Sequence, residues 1–292
     1  MVMSERQLDQ IAGSPAPRQA VPRQNDKHIV DELIEERARK LMRSPLWPLY
    51  KRIIYPILLY RPAVKMADDI ADLDARGVFD YMSDLLDIDL TVTGLEHVPS
   101  SGRVLIAPTH PAGIPDGTAI FDAIKSVRTD ITFFANRDAI RAAPGIAPMI
   151  IPVVWREEER SRKGSRETLI QTKEAFEAEK CVVLFPSGRI ARMGDDKKLI
   201  EQDWLPSLAA FARKYDCAVV PAHIEMRNSW LYYWFWKVNE ELRDMTLFHE
   251  LLNKKRAPYK VTFGTPVKPE DLKGTSQEAS DALREIAVGL GE

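Results

Sequence analysis

Apolar and polar positions follow two alternating patterns from about residue 88 to the end of the chain. Short apolar runs bounded by turn residues are typical of buried strands; they occupy residues 88–94, 103–109, 130–136, 149–155, 181–187, 217–226 and 259–267. Amphipathic stretches with helical spacing lie between or after them, in residues 116–127, 165–180, 205–216 and 276–292. This alternation predicts an α/β fold, with a mainly parallel twisted sheet flanked by helices on both faces.

The first 87 residues differ from the rest and predict two further segments. Residues 1–25 are polar and contain several prolines, which is typical of a disordered arm. Residues 26–87 predict an amphipathic helical extension that associates with a membrane, and residues 88–292 form the α/β domain. A chain of 292 residues with 45% hydrophobic and 29% charged content is long enough for one large globular domain.

Two stretches of the sequence suit a membrane surface. Residues 46–62 place apolar side chains at helical spacing, and Pro56 predicts a kink in that helix. The basic residues available there for phosphate headgroups are Lys51, Arg52 and Arg61. Residues 230–238 crowd aromatic rings beside Lys237, as at a membrane–water interface. The alternative is that both stretches pack in the core; two of them in one chain favour the membrane surface.

Charge and cysteine content exclude several classes of protein. A net charge of −2 and a pI near 6.3 provide no broad basic surface for a nucleic acid. Cys181 and Cys217 both lie in apolar runs, which predicts small core residues in a reducing compartment. The first residues lack the pattern of a secretory signal, and no run of 18 apolar residues occurs. We therefore predict a cytoplasmic protein, peripheral on the inner face of the cell membrane.

A histidine in the turn after the second predicted strand is the first candidate for chemistry. His110 follows residues 103–109, and Asp116 is predicted as the N-cap of the next helix. The turn between them contains Pro111, Gly113 and Pro115. Ligands of open α/β sheets usually bind beyond the carboxyl ends of the strands. A carboxylate there can cap the helix, orient the imidazole, or do both, and a lone histidine is more often structural.

Two further strand ends carry cationic loops. Residues 181–185 open into a Pro-Ser-Gly turn followed by Arg189 and Arg192, and Arg156 is the first charge after residues 149–155. Arginine binds phosphate or carboxylate through its fork of donors. Taken alone, each loop is equally consistent with solvated surface charge.

Four short blocks in this order resemble those of the glycerolipid acyltransferases, the lysophosphatidic acid acyltransferase-like superfamily. They are HPAGIPD (residues 110–116), VVWRE (153–157), FPSGR (185–189) and VVPAHI (219–224), and the resemblance spans roughly residues 90–267. It implies a glycerol-3-phosphate acyltransferase-like fold. It also implies that His110 is the general base that removes a proton from the acceptor hydroxyl, and that Asp116 orients it.

The resemblance extends to the other blocks. The residues that it implies for binding the acceptor and its phosphate are Arg156, Ser187, Gly188, Arg189 and Arg192. Phe185, Pro186 and Pro221 match the apolar and proline positions of the third and fourth blocks. A base with a pKa near neutrality suits the activation of an alcohol, so the implied chemistry agrees with the residue types.

Two departures from the family pattern affect the predicted acceptor. Five residues separate His110 from Asp116, where the usual block has four; this is the spacing of a hemolysin-like and ornithine-lipid-type branch. Ser187 replaces the usual glutamate of the third block, and its arginine falls one place earlier, at Arg189. The loop after His110 must bulge to restore contact with Asp116.

The implied function is transfer of a fatty acyl group from an acyl-CoA or acyl-carrier-protein thioester to a hydroxyl of a lysophospholipid or related lysolipid at the membrane surface. The alternatives are a lyso-ornithine-lipid acyltransferase and a catalytically inactive lipid-binding protein of the same fold. Retention of His110 and Asp116 favours an enzyme, and no Gly-x-Ser-x-Gly pentapeptide supports a serine hydrolase. The expected partners are the lysolipid, the thioester donor, the membrane and a candidate carrier protein, with no cofactor and no metal.

Overall fold

The computed structural model describes residues 27–154 and 162–292, leaving out the side chains of residues 162 and 163. Its strands are β1 Asp89–Thr93, β2 Val104–Pro108, β3 Ile131–Asn136, β4 Ile150–Val153, β5 Cys181–Val183, β6 Arg192–Met193, β7 Leu199–Ile200, β8 Ala218–Glu225 and β9 Pro258–Phe263. Strands β6 and β7 form a separate hairpin, and the other seven form one sheet. Each of the seven predicted apolar runs overlaps one strand of that sheet.

The sheet has the strand order β1-β9-β8-β2-β5-β3-β4. Every neighbouring pair is parallel except β8 and β9, which are antiparallel. The prediction of a mainly parallel sheet is confirmed. The antiparallel pair brings the first residues of β9 to the edge where β8 ends, since Glu225 pairs with Lys260.

Helices cover the sheet on both faces. In chain order they are α1 Ile29–Arg37, α2 Arg39–Met42, α3 Trp47–Ile57, α4 Tyr60–Ile70, α5 Ala75–Leu86, α6 Ile114–Ile124, α7 Asp138–Ala142, α8 Arg162–Glu177, α9 Ser207–Lys214, α10 Trp230–Val238, α11 Glu240–Met245, α12 Leu247–Leu252 and α13 Ser276–Gly289. Helices α6, α8, α9 and α13 overlap the four predicted helical stretches. The predicted α/β class is therefore correct.

Successive residues of the central strands belong to two different hydrophobic clusters. In β2, Val104 and Ile106 belong to the cluster that includes residues of α1, α5 and α6, whereas Leu105 and Ala107 belong to the cluster that includes residues of α8, α9 and α13. Side chains alternate across a strand, so a sheet covered on both faces requires an apolar residue at every position. This is why residues 103–109 form a continuous apolar run rather than an alternating one.

The N-terminal helices share a core with the sheet. Phe79 of α5 stacks on Phe121 of α6 and on Phe133 of β3, with ring centroids 4.7 and 5.0 Å apart. Such pairs contribute about 0.5–1.5 kcal/mol beyond the burial of their area. Val30 and Ile34 of α1 are buried in the same cluster. Residues 29–86 are thus packed against the α/β unit through apolar contacts.

The helix that contains Pro56 ends where a kink was predicted. Pro56 lies in the last turn of α3, and Leu59 (φ 56°) separates α3 from α4. Residues 46–62 do not pack wholly in the core, because Leu49, Ile53 and Ile57 form an exposed stripe along α3. Within the described ranges, no helix has the length and apolarity needed to cross a membrane.

The hairpin β6–β7 was not predicted, and it lies beside the carboxyl edge of the sheet. The segment that follows it is anchored to the body of the molecule. Leu205 donates its N–H to the carbonyl of Pro186 (3.0 Å), and the Arg284 side chain of α13 donates to the carbonyl of Gln202 (2.9 Å). The chain between residues 186 and 205 therefore leaves β5, forms a hairpin and returns.

We expect neither cysteine to react with a thiol reagent while the protein is folded. Both are free and buried, and burial raises the pKa of Cys181 and of Cys217 to about 12. Because the thiolate is the reactive form, almost none is present at neutral pH. Labelling with a chromogenic disulfide should be negligible in native buffer and should reach both thiols in guanidinium chloride. Rapid labelling of the native protein would contradict the buried placement of these residues.

Candidate active site

The loops that carry the predicted site residues leave the sheet at one edge. Strand β2 ends at Pro108, and His110 follows it; β5 ends at Val183, and Phe185 follows it. The two strands are parallel neighbours in the sheet, so their carboxyl ends meet. The turns of the first and third sequence blocks are therefore adjacent.

The structure brings His110 and Asp116 into contact. Nδ1 of His110 lies 3.0 Å from Oδ2 of Asp116. The Asp116 side chain is fully buried, and that of His110 is 17% exposed. An ionised carboxylate only accepts hydrogen bonds, so Nδ1 carries the proton. In the neutral imidazole the other ring nitrogen, Nε2, then has a free lone pair, which is the form that a general base requires.

Asp116 also holds the turn that precedes it. Its Oδ2 accepts the backbone N–H groups of Ala112 (2.8 Å) and Gly113 (2.9 Å). The prediction of Asp116 as N-cap was wrong: helix α6 begins at Ile114, Gly113 is the N-cap, and Asp116 is the third helical residue. From this position its carboxylate reaches back over the start of the helix, where negative charge is favoured.

Gly113 lets the loop accommodate five residues between the histidine and the aspartate. Its φ of 95° and ψ of −130° lie in a region that other residues rarely adopt. An added Cβ would also lie 2.9 Å from Cδ1 of Ile190. The expected bulge in the loop is thus a glycine turn packed against the loop after β5.

The imidazole is confined from several sides. The ring of Phe185 packs against that of His110, with centroids 4.2 Å apart. The backbone carbonyl of His110 accepts the N–H of Ala191 (2.8 Å). The loop after β5 therefore contacts both the side chain and the main chain of the histidine.

The predicted acceptor-binding residues differ in their placement. Ser187 is buried, and its hydroxyl donates to the carbonyl of Arg189 (2.8 Å). Gly188 has a φ of 59°, which a turn of this kind requires. Arg189 and Arg192 are exposed on the loop that contacts His110. Arg156 lies outside the described residues.

His223, which the sequence analysis left without a role, contacts the C-terminal helix. Its Nδ1 lies 3.0 Å from the carbonyl of Ala287, and burial lowers its pKa. The fourth block therefore contributes the buried part of β8 rather than a polar group placed at His110.

A buried polar cluster beneath the loop of Asp116 was missed by sequence reasoning. Within the described chain, Oδ1 of Asp116 and the hydroxyl of Tyr259 have no hydrogen-bond partner. Burial, and then the charges of Asp116 and Glu250, raise the pKa of Tyr259, so its hydroxyl remains protonated. Burial acts to raise the pKa of Glu250 as well, but the charge of Lys254 and hydrogen bonds from Ser229 outweigh it and lower that pKa.

A second missed residue is Glu201, which follows β7 and is buried. Its Oε2 accepts the backbone N–H of His110 (3.1 Å), and its Oε1 accepts the indole N–H of Trp204 (3.0 Å). Burial raises the pKa of Glu201. No local pattern indicates this contact, because 91 residues separate Glu201 from His110.

The sequence of this chain is similar to those of known acyltransferases. A family model described as Acyltransferase matches residues 89–225, a range that includes His110, Asp116 and the loop after β5. A lyso-glycine lipid O-acyltransferase of Phocaeicola vulgatus is 25% identical over 243 residues, which cover 78% of this chain and 84% of that relative. A lyso-glycine lipid O-acyltransferase of Bacteroides thetaiotaomicron is 22% identical over 267 residues, which cover 86% of this chain and 96% of that relative.

Among solved structures, the 1-acyl-sn-glycerophosphate acyltransferase PlsC of Thermotoga maritima aligns with a TM-score of 0.46 and 14% identity. The alignment covers 90% of this chain and 95% of that chain.

We expect Asp116→Asn to lower the kcat for acyl transfer by roughly 10²- to 10³-fold, because it removes the charge that orients and stabilises the imidazole. The oxygen of asparagine can still accept the N–H groups of Ala112 and Gly113, so the turn and the melting temperature should change little. His110→Ala should remove more activity than Asp116→Asn. Near-normal turnover in His110→Ala, measured on protein with an unchanged circular dichroism spectrum, would rule out the histidine as base.

Proposed function

We propose that this chain, which belongs to the glycerolipid acyltransferase family and is an acyltransferase, moves a fatty acyl group from a thioester to the hydroxyl of a lysolipid. The observation that carries the proposal is the contact between His110 and buried Asp116 at the carboxyl edge of the sheet. The names of the two relatives, both lyso-glycine lipid O-acyltransferases, support a lysolipid acceptor.

In the proposed reaction His110 acts as a general base. Its Nε2 takes the proton of the acceptor hydroxyl while the hydroxyl oxygen attacks the thioester carbonyl carbon. The C–O bond forms, the C–S bond breaks, and the proton passes from the imidazolium to the departing thiolate, which leaves as a thiol. His110 is neutral again at the end. Base catalysis of this kind contributes roughly 10²- to 10⁴-fold.

The proposed donor is an acyl-CoA or an acyl carrier protein thioester, and the reaction uses no cofactor beyond that donor. We assign the acceptor headgroup to the loop after β5, where Ser187 and Gly188 form the turn and Arg189 and Arg192 are exposed. Arg156 is proposed as a third cation for this group. Guanidinium groups bind phosphate and carboxylate alike, so the shared feature of the acceptor is an anionic headgroup.

Two acceptor classes fit an anionic headgroup. One is a 1-acylglycerol-3-phosphate-like lysophospholipid, and the other is a lyso-amino-acid lipid such as a lyso-ornithine or lyso-glycine lipid. The names of both curated relatives favour the second class, as do the five-residue spacing of the first block and the serine at position 187.

A transfer assay should identify the acceptor. Purified protein is incubated with radiolabelled acyl-CoA or acyl carrier protein and vesicles that contain lyso-glycine lipid, lyso-ornithine lipid or lysophosphatidate. We expect acylation of one anionic acceptor, lost in His110→Ala. Arg189→Ala should raise the KM for that acceptor about tenfold, the effect of one charge-assisted contact of about 1.4 kcal/mol. If no acceptor is acylated while the protein still binds vesicles, the inactive lipid-binding alternative gains support.

We also propose that the enzyme works as a peripheral protein on the inner face of the cell membrane. Leu46 at the start of α3 is exposed, as are Leu49, Ile53 and Ile57 within that helix. Trp230, Trp234 and Val238 of α10 are also exposed, and each set has helical spacing. Burying such a stripe in the interface is favourable by roughly 1.5–3 kcal/mol per side chain.

The two stripes adjoin the same segment of the chain. Helix α10 runs directly into α11 and α12, and Nδ1 of His249 in α12 lies 2.9 Å from the carbonyl of Ile57 at the end of α3. One predicted headgroup contact needs correction: Lys51 is paired with Asp31 (2.8 Å) and Glu35 (3.3 Å). Arg52 and Arg61 are exposed and remain as candidates.

Charged substitutions on the α3 stripe should weaken membrane binding. Leu49→Glu with Ile53→Glu should reduce co-sedimentation with anionic vesicles by roughly tenfold or more, because two apolar side chains leave the interface. Leu169→Glu with Ile170→Glu is the matched control: Leu169 on α8 is 55% exposed, and Ile53 is 56% exposed. Docking through α3 would be contradicted if both double variants lost vesicle binding equally, or if neither of them lost it.

A further inference from the structure

We propose that Glu201 is a second carboxylate that positions His110: it holds the main chain of the histidine while Asp116 holds its ring, and its charge supports the imidazolium that forms during transfer. The inference rests on the proposed function, because it concerns the base of that reaction. Glu201 is a positioning residue, since it reaches the reacting atoms only through His110.

The contacts of Glu201 join three separate parts of the site. Its carboxylate accepts the backbone N–H of His110 through Oε2 and the indole N–H of Trp204 through Oε1, at 3.1 and 3.0 Å. Ser187 lies beside this carboxylate, although its hydroxyl proton is donated to the carbonyl of Arg189 at 2.8 Å. The turn after β2, the turn after β5 and the segment after β7 therefore meet at one buried side chain.

The groups that surround Glu201 favour the ionised form of its carboxyl group. Backbone N–H and indole N–H groups only donate, so the charged, acceptor-only form of Glu201 satisfies both of them. A protonated Glu201 would place its own O–H donor next to groups that can only donate. Burial nevertheless raises the pKa of Glu201, whereas the hydrogen bonds and the charge of His110 act to lower it. Acidification should thus remove its charge earlier than that of an exposed glutamate.

Glu201 and Ala191 together fix both main-chain polar groups of His110. The N–H of His110 donates to Glu201, and its carbonyl accepts from Ala191 at 2.8 Å. Glu201 is itself held in place, because the Arg284 side chain donates to the Glu201 carbonyl and to the carbonyl of Gln202 (2.9 Å). The position of the imidazole thus depends on a segment anchored to the C-terminal helix.

Several charged groups face His110 or Glu201. From α6, Asp116 contacts the ring of the histidine, and the charges of Asp116 and Glu250 both act on the neutral hydroxyl of Tyr259. The cations of the surrounding loops and helix are Arg189, Arg192 and Arg284. Asp116 and Glu201 are the two carboxylates in direct hydrogen-bond contact with His110 among the described residues.

The test uses the full-length enzyme and its preferred acceptor, with kcat and kcat/KM measured between about pH 5 and pH 9. Glu201→Gln should lower kcat roughly 10- to 100-fold and leave both KM values within about threefold. The acid limb of kcat/KM should move to lower pH and become less steep, because one negative charge and one titrating group are lost. A merely structural role would reduce the amount of folded enzyme without moving that limb.

Two further variants control the interpretation. Asp203→Asn changes an exposed carboxylate two residues away and should leave kcat and the pH profile unchanged. Glu201→Asp keeps the charge but shortens the side chain; it should keep the acid limb near that of the wild type while kcat falls. If Glu201→Gln does not fold, Glu201→Asp decides: a wild-type kcat in that variant would overturn the positioning role.

A measurement without turnover separates this inference from the proposed function. The chain has five histidines, and the His110 signal in a carbon-13 NMR spectrum is assigned with His110→Gln. Its titration midpoint should lie at lower pH in Glu201→Gln than in the wild type, and an unchanged midpoint would overturn the electrostatic role. If the wild type transfers no acyl group to any acceptor, the proposed function fails, and the midpoint still tests Glu201.

Discussion

The arrangement of this site depends on the buried carboxylate of Asp116. One of its oxygens takes hydrogen bonds from the His110 ring and from two consecutive backbone N–H groups. Hydrogen bonds to a charged acceptor are stronger than neutral ones, and a buried charge is tolerated only when it is satisfied in this way. The same interaction therefore sets the shape of the turn, the start of α6 and the tautomer of the imidazole.

The sheet brings the groups of the site together. Parallel strands β2 and β5 end at one edge, so the turns that contain His110 and Ser187 become neighbours. The antiparallel pairing of β8 and β9 adds a second effect: β9 begins at the edge where β8 ends, which places Tyr259 close to Asp116. A mixed sheet thus supplies polar groups beneath the loop that a fully parallel sheet would not.

The N-terminal helices pack into the core and also expose an apolar surface. Phe79 of α5 packs into the core, whereas the apolar stripe of α3 is exposed to solvent. Exposed apolar stripes of this kind are costly in water and mark interaction sites. In the proposed function, the membrane covers that stripe, and the acidic residues Asp31 and Glu35 of α1 hold Lys51 on the opposite side of the helix.

Periodicity and turn residues report local structure and burial, so the sequence by itself determined the α/β class, the positions of the seven sheet strands and four of the helices after residue 88. The pairing of His110 with Asp116 was implied by the resemblance to the glycerolipid acyltransferases. Tertiary structure decided the rest. Asp116 was predicted three positions from its actual place in the helix: the N-cap is Gly113, whose φ of 95° no local sequence pattern specified. The role of Glu201 could not be predicted from a local pattern, because its partner His110 lies 91 residues away in the sequence. Contacts of that kind arise from the packing of whole elements, which no local pattern records.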